Sequence, residues 1–360
     1  MKHVHHAAFC LNRIPYSYED IAEIAYSLIK EGEPFEKEIG DFLLDWISDS
    51  PHIVQQTSGS TGPPKPILLE KEKMVASARA TGAYFGLGAG TRALLCLPAS
   101  TIAGKMMWVR AMVLGWSLYY VKPSLNPLKE LGKPIDFTAL TPAQVRSSLK
   151  SLPKVGRLII GGAPVSRALL RTLKNFSAEI YETYGMTETI THVAVKPISG
   201  PRAISPDGPF QALPDIRFEQ DARGCLVVYA PYLGEEPVVT NDQVELLSET
   251  TFRWLGRADR VVNSGGIKLF PETLETKLSE FMDHRFFLAG EKDPQLGERL
   301  VMVVEGTGDG EALLASLKEK VALEKNHWPR AVYWTEAFAE TRSGKIDRPS
   351  TLKQLRAKRT

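Results

Sequence analysis

Thr57-Ser58-Gly59-Ser60-Thr61-Gly62-Pro63-Pro64-Lys65 lies between two short apolar runs, Ile53-Val54 and Ile67-Leu68-Leu69, and this placement governs the reading of the whole chain. Gly, Ser, Thr and Pro in such a run usually make a solvated linker. Flanked by strand-like segments, the run reads instead as a tight loop between two strands. Its glycines let backbone N–H groups approach an anion, its hydroxyls add donors, and Lys65 supplies a mobile positive charge. The loop suits a polyphosphate. It is not a Walker loop, which needs Lys directly after its second Gly and then Ser or Thr, whereas Pro63 and Pro64 separate Gly62 from Lys65 and Pro66 follows. P-loop kinases and NTPases are disfavoured.

Outward from the loop, short apolar runs alternate with helical patterns. Ala93 to Leu97, Leu118 to Val121, Phe137 to Leu140 and Leu158 to Ile160 read as buried strands, with helices over Met106 to Val113, Pro142 to Leu149 and Ser166 to Leu173 between them. This is an α/β layout with a mainly parallel sheet. Ligands in such sheets sit on the loops that follow the strands, so Gly161-Gly162-Ala163-Pro164 and Tyr184-Gly185 are candidate site loops. Upstream, Ser17 to Ile29 and Phe35 to Ile47 carry apolar stripes at helical spacing, the first with Ser17 and Asp20 placed as a capping box. Downstream, Ile216 to Leu255 breaks into short strands and turns that suggest a compact β unit. After Gly256 a smaller α+β module is expected, giving a large domain over residues 1–256 and a small one over 257–360.

Composition narrows the class. At 43% hydrophobic and 24% charged residues the chain is ordinary and globular, and 44 basic against 42 acidic residues, net +2, leave no nucleic-acid footprint. Cys10, Cys96 and Cys225 form no C-x-x-C pair and read as packing residues of a reducing compartment. No run approaches the ~18 apolar residues of a membrane span, and the N-terminus lacks a signal-peptide pattern. A cytoplasmic protein is expected. His3, His5 and His6 are expected to belong to a mobile terminus.

Three further motifs follow the loop. Tyr184-Gly185-Met186-Thr187-Glu188-Thr189 brings together an aromatic ring, a backbone turn, a hydroxyl and a carboxylate; the ring can stack on a base, Thr187 can bind phosphate, and Glu188 can hold Mg²⁺. Gly256-Arg257-Ala258-Asp259-Arg260 precedes Ser264-Gly265-Gly266-Ile267-Lys268 and Pro271-Glu272-x-x-Glu275. Ser343-Gly344-Lys345-Ile346-Asp347-Arg348 lies near the C-terminus. In this order the four segments resemble the adenylate-forming superfamily of acyl-CoA synthetases, firefly luciferases and nonribosomal-peptide adenylation domains. The matches extend from Thr57 to Arg348.

The resemblance implies two steps: a carboxylate attacks the α-phosphorus of ATP to give an acyl-adenylate, and a thiol, commonly that of coenzyme A, then displaces AMP. Carried over by motif, Thr57, Ser58, Gly59, Ser60, Thr61, Gly62 and Lys65 would cradle the β- and γ-phosphates, with Glu188 on Mg²⁺ and Thr187 beside it. Gly161, Gly162 and Ala163 would flank adenine, with Tyr184 stacking on it. Asp242 and Arg257 would hold the ribose, and Lys345 would bridge carboxylate, α-phosphate and ribose oxygen in the first transition state. Asp259 stands at the superfamily's hinge, where rotation would withdraw Lys345 and bring in Ser264, Gly265 and Gly266 for the coenzyme A step.

The chain departs from the family pattern in places. The ribose motif reads Thr240-Asn241-Asp242 where Thr-Gly-Asp is usual, and Pro98 to Gly104 lacks the usual aromatic and histidine. Few residues precede the phosphate loop, so a reduced N-terminal subdomain is expected. Gly104-Lys105-Met106-Met107-Trp108-Val109-Arg110 is similar to ligases of an aryl acid with two carboxylates. Arg110 would hold the carboxylate that is not activated, and Thr101 and Gly185 would border the acyl group.

Overall fold

The computed structural model describes residues 4–56, 66–203, 208–340 and 346–357. The chain opens with β1 (Cys10–Leu11), β2 (Ile14–Pro15), α1 (Ile21–Glu31) and α2 (Pro34–Ile47). α1 begins four residues after Ser17, because the backbone N–H and hydroxyl of Ser17 both donate to Asp20 Oδ2 (2.7 and 2.8 Å) and close a turn ahead of the helix. α2 starts where Pro34 fits the first helical position and the Glu33 N–H donates to Glu36 Oε2 (2.8 Å). Its stripe of Ile39, Phe42, Leu43 and Trp46 is buried. His5 and His6 are packed rather than mobile, and His3 lies outside the described residues. His6 N–H donates to Met112 O (2.8 Å), and the His5 ring meets Phe9 and Tyr18 edge-on.

Next come β3 (His52–Gln56) and β4 (Pro66–Glu70), an antiparallel pair whose last register partners, Gln56 and Pro66, bound the phosphate-loop sequence. Then follow α3 (Lys71–Phe85), β5 (Arg92–Leu95), α4 (Ile102–Leu114), β6 (Ser117–Tyr120), β7 (Ile135–Leu140), α5 (Pro142–Ser147), β8 (Val155–Ile160), α6 (Arg167–Leu173) and β9 (Glu179–Gly185). β6, β5, β7, β8 and β9 run parallel in that spatial order. Alternation along β5 shows the two-faced packing: Ala93 and Leu95 join the core that includes α3 and α4, while Leu94 and Cys96 join the one that includes α5 and α6. In that second layer burial pushes the Cys96 thiol up to about 12, as suits a packing residue.

The sheet then turns antiparallel through β10 (His192–Ser199), β11 (Phe210–Ala212), β12 (Arg217–Gln220), β13 (Cys225–Tyr229), β14 (Val238–Ser248) and β15 (Thr251–Arg257). These strands are not a detached β unit. β10 pairs with β9 and β11 with β15, so the short strands continue the parallel sheet in one hydrogen-bonded path. A second sheet holds β16 (Val262–Ser264), β17 (Ile267–Leu269), β18 (Phe286–Asp293), β19 (Gly297–Glu305) and β20 (Ala331–Thr335), packed with α7 (Pro271–Leu278), α8 (Gly310–Lys320) and α9 (Arg348–Ala357). Its own core includes Val262, Leu274, Leu288, Leu300 and Met302. No helix among the described residues is long and apolar enough to cross a membrane.

Candidate active site

The expected nucleotide side is built on β8 and β9. Gly161 follows β8 directly; its N–H donates to Leu140 O (3.1 Å), and a Cβ there would meet Thr183 Oγ1 at 2.8 Å. Thr183 Oγ1 in turn donates to Ile160 O (3.0 Å), so β9 clamps the start of the Gly161-Gly162-Ala163 loop. Gly162 takes φ +83°, a conformation that glycine adopts without strain. At the loop's far end the Val165 N–H donates to Glu182 Oε1 (3.0 Å), and Glu182 Oε2 is ion-paired with Lys196 Nζ (2.6 Å), which also lies 5.0 Å from the Phe210 ring centroid. Sequence reasoning missed Glu182 and Lys196. The available signal was Lys196 inside the largely apolar run of β10; Glu182 is one of two glutamates in β9 and stands out less.

Tyr184 and Gly185 end β9. The Tyr184 hydroxyl donates to Asp242 Oδ2 (2.7 Å), and burial together with the Asp242 charge pushes its pKa well up. Its ring is held edge-on by Phe252, centroids 5.1 Å apart. Asp242 is itself the register partner of Arg257 across β14 and β15. Burial works against the Arg257 charge, but Asp259, 3.3 Å from its Nε, and Asp242 leave its pKa raised. The candidate stacking, ribose and hinge residues therefore form one connected group. Asp259 sits in the 3-10 turn Ala258–Arg260 that joins the two sheets.

Beyond Gly185 the chain makes a 3-10 turn at Thr187–Thr189 and returns as β10. Glu188 is exposed on that turn. Among the described residues no group of three or more His, Cys, Asp or Glu side chains could hold a metal ion. A lone carboxylate suits magnesium, which keeps several waters and takes the rest of its ligands from substrate phosphates. Only glycine fits at 185, since a Cβ would lie 2.3 Å from Thr191 O. Ile190, buried at φ +67° and ψ −53°, is the centre of a γ-turn in which Thr191 N–H donates to Thr189 O (2.7 Å), a strained conformation for a β-branched residue.

The expected acyl side centres on α4. Gly104 through Val113 are all buried, so this helix is surrounded rather than amphipathic. Two charged side chains lie inside it. Lys105 Nζ donates to Gln55 Oε1 (2.7 Å), and Gln55 Nε2 donates to Gln56 O and Ser100 O (2.9 and 3.0 Å), which ties α4 to the strand entering the phosphate loop. Arg110 is 2% exposed. Its Nη2 donates to Thr191 Oγ1 (2.8 Å), its Nε has no partner, and no carboxylate pairs with it among the described residues. Burial lowers its pKa to about 10. His192, beside it, is held well below the usual histidine value by burial and by the Arg110 charge, and its Nε2 has no partner either.

Thr101 does a different job from the one expected. Its hydroxyl accepts the Gly104 N–H (3.1 Å) and donates to Pro98 O (2.8 Å), so it caps α4 rather than presenting a free donor to an acyl group. On the second sheet, Ser264, Gly265 and Gly266 lie at the β16–β17 hairpin, where Gly265 and Gly266 supply the two positive φ values (+59° and +82°) of a type I′ turn. Thr57, Ser58, Gly59, Ser60, Thr61, Gly62, Lys65 and Lys345 lie outside the described residues. Arg348, three residues after Lys345, makes two 2.8 Å bonds to the Glu275 carboxylate, so that part of the C-terminal motif anchors the chain to α7.

Nucleotide loops at the carboxyl ends of a parallel sheet, joined to an Asp–Arg strand pair and a buried cationic helix, define a nucleotide-dependent acid-activating enzyme. The chain belongs to the AMP-binding enzyme family, whose pattern matches residues 27–216. It is 35% identical to an AMP-forming acyl-CoA synthetase/AMP-acid ligase II-like protein from Dyadobacter fermentans, with a TM-score of 0.60 and coverage of 93% of this chain and 98% of that one. It is 29% identical, over 86% of each chain, to a probable 2-succinylbenzoate–CoA ligase of Mycobacterium tuberculosis. The o-succinylbenzoate CoA synthetase of Bacillus subtilis in complex with the acyl-adenylate OSB-AMP shares the fold at TM-score 0.72 and 18% identity, covering 91% of this chain and 80% of that one.

Proposed function

We propose that this enzyme activates an aryl acid bearing a second carboxylate, with o-succinylbenzoate as the substrate, and transfers the acyl group to coenzyme A. The observation that carries the reading is Arg110: a fully buried guanidinium without a carboxylate partner among the described residues, on the helix we read as lining the acyl side. A buried charge left this way is unfavourable unless a ligand completes it. A substrate carboxylate does so with charge-assisted hydrogen bonds.

In the first step a carboxylate oxygen attacks the α-phosphorus of ATP, the bond from that phosphorus to the bridging oxygen breaks, and pyrophosphate leaves. The chain's task is to hold two anions in line while charge develops. Tyr184, Gly161, Gly162 and Ala163 hold the adenine, and Asp242 accepts from the ribose hydroxyls with Arg257 beside it. Thr187 binds phosphate, and Glu188 would hold magnesium, which would supply neutralisation of phosphate charge. Lys345 donates to the α-phosphate and the attacking carboxylate, and the Thr57–Lys65 run steadies the leaving pyrophosphate. In the second step the coenzyme A sulfur attacks the acyl carbon, the carbon–oxygen bond to phosphate breaks, AMP leaves, and the thiol proton passes to solvent.

Pyrophosphate release measured with o-succinylbenzoate, benzoate, acetate and a fatty acid tests the reading, with mass spectrometry identifying the thioester. Release is expected with o-succinylbenzoate far above the others. Equal or greater release with benzoate would remove the second carboxylate from recognition.

A further inference from the structure

β3 and β4 form a two-stranded sheet of their own, apart from the large sheet that carries the loops after β8 and β9. Their open end, Gln56 opposite Pro66, is therefore placed by side chains rather than by a shared ladder. We propose that Lys105 is a positioning residue for the ATP phosphates: by orienting Gln55 it holds the base of the Thr57–Lys65 run against the start of α4, and so sets where phosphate is gripped relative to the acid. This rests on the phosphate role proposed above for that run.

An ammonium group can only donate, and that restriction chooses the orientation of Gln55. The 2.7 Å bond from Lys105 Nζ requires the amide oxygen of Gln55 on that side, which turns its amide nitrogen toward two groups that can only accept, Gln56 O at 2.9 Å and Ser100 O at 3.0 Å. A flipped amide would set donors against the ammonium and an oxygen against two carbonyls, a costly arrangement for a buried side chain. Gln56 directly precedes Thr57. Ser100 directly precedes Thr101, the cap of α4, and its own N–H donates to Glu38 Oε2 (3.2 Å). Gly104 is packed so closely that a Cβ would lie 2.1 Å from Pro98 O, so this turn and the helix move as one piece. One buried amide thus joins the strand, the turn and the helix.

Packing alone does not call for a charge here. Lys105 is buried, and the residues that follow it in α4, Met106, Met107, Trp108 and Val109, are apolar and buried too. Among the described residues no carboxylate forms an ion pair with it. Asp45 and Glu38 act from further away, and burial prevails over them to lower its pKa. An apolar side chain of similar length would fill the space without the desolvation cost of an ammonium. Such a side chain would not select one orientation of Gln55. The tie reaches α4 through Pro98 to Gly104, the segment where the chain departs from the family pattern.

The test measures two half-reactions in the parent, Lys105→Met, Gln55→Glu and the double variant Lys105→Met/Gln55→Met. One is ATP–pyrophosphate exchange; the other is acyl transfer to coenzyme A from preformed acyl-adenylate, which uses no pyrophosphate. Gln55→Glu keeps an acceptor for Lys105 but loses both donors to Gln56 O and Ser100 O. The double variant replaces the pair with apolar side chains and carries the test should Lys105→Met alone fail to fold. Each variant should slow exchange and raise the pyrophosphate KM by on the order of tenfold to a hundredfold, with the acid KM and the transfer rate at parental values. A folded variant that exchanges at the parental rate, or one that loses both half-reactions equally, overturns the proposal, and so does failure of all three to fold. Should the parent exchange pyrophosphate with none of the acids, the proposed function fails instead. Calorimetric titration with magnesium pyrophosphate and with AMP then decides: the substitutions must weaken the first and leave the second unchanged, and a parent that binds no pyrophosphate ends the proposal.

Discussion

Replacing Arg110 by methionine should separate the needs of folding from those of substrate recognition. The guanidinium is 2% exposed, keeps one hydrogen bond, to Thr191, and is lowered to about 10 by burial. A fall of that size from an ordinary guanidinium corresponds to roughly 3 kcal/mol against the charged form. The folded value lies below the unfolded one. The penalty is therefore in force at every pH below about 10 and eases only as pH climbs above it. Methionine keeps most of the aliphatic volume, removes the penalty and forfeits one hydrogen bond worth about 1 kcal/mol. The variant should be as stable as the parent or up to ~2 kcal/mol more stable, which thermal unfolding reads as a rise of a few degrees. Recognition moves the other way. Losing a desolvated charge pair with the substrate is worth about 3–5 kcal/mol, so the KM for o-succinylbenzoate should rise by on the order of 10² to 10³ while the KM for ATP stays put. A variant that melts several degrees lower with its acid KM unchanged would show that Arg110 serves the fold and not the substrate.

Four other outcomes follow from the same geometry. His192 is neutral in the fold and takes a proton near its ordinary value of 6.5 when unfolded, so stability should fall as pH drops below about 6.5, and His192→Gln should flatten that slope in urea melts at pH 5 to 7.5; parallel slopes would contradict its burial as a neutral base. Glu182→Ala, which frees both the Val165 N–H and Lys196, should raise the ATP KM by about tenfold without touching the acid KM, and Glu182→Gln should recover part of the loss; an acid KM that moves equally would place Glu182 outside nucleotide positioning. At position 190 glycine should be more stable than alanine by about 1 kcal/mol or more in denaturant titrations, the reverse of the usual order, because only glycine takes φ +67° freely; an alanine variant at least as stable would remove the strain argument. Lys345→Ala should slow ATP–pyrophosphate exchange by on the order of 10² to 10³, and a parental rate would refute its role in the first step.

The parallel sheet was legible because its strands are continuous apolar runs between helical stretches, and the hairpin around the phosphate-loop sequence because both its flanks are apolar. Arg110 stood out for a related reason: a charge inside the apolar run of α4 must be buried or functional. What could not be read were contacts made by partners far apart in sequence. Gln55 and Lys105 meet across two layers, and nothing local to either marks the other. The pairing of β11 with β15 merges a stretch that looks like a separate unit into the main sheet, because register there is set by strands forty residues apart. Thr101 illustrates a subtler limit. A hydroxyl ahead of a helix suits a ligand or a cap equally well in sequence, and only the Gly104 N–H and Pro98 carbonyl decide for the cap.

Residues 183 to 192 connect the two halves of the proposed site. Thr183 clamps the start of the Gly161-Gly162-Ala163 loop, Tyr184 reaches Asp242, Glu188 is exposed on the turn, and Thr191 accepts from Arg110. The return from β9 to β10 leaves little freedom between these groups. Gly185 sits against the Thr191 carbonyl with no room for a methyl group, the Thr189 side chain bonds the backbone at Met186 and Thr191, and Ile190 is held in its γ-turn by burial. In the proposed reading, an acid on Arg110 and a nucleotide on Tyr184 would both be positioned by the same few backbone angles. A shift of even about 1 Å between reacting atoms is enough to slow a bimolecular displacement a hundredfold. A substrate that fills the proposed acyl side without engaging Arg110 should therefore leave its activated carboxylate poorly aligned with the α-phosphorus, and selectivity for the second carboxylate should then show in the rate of adenylation as well as in binding.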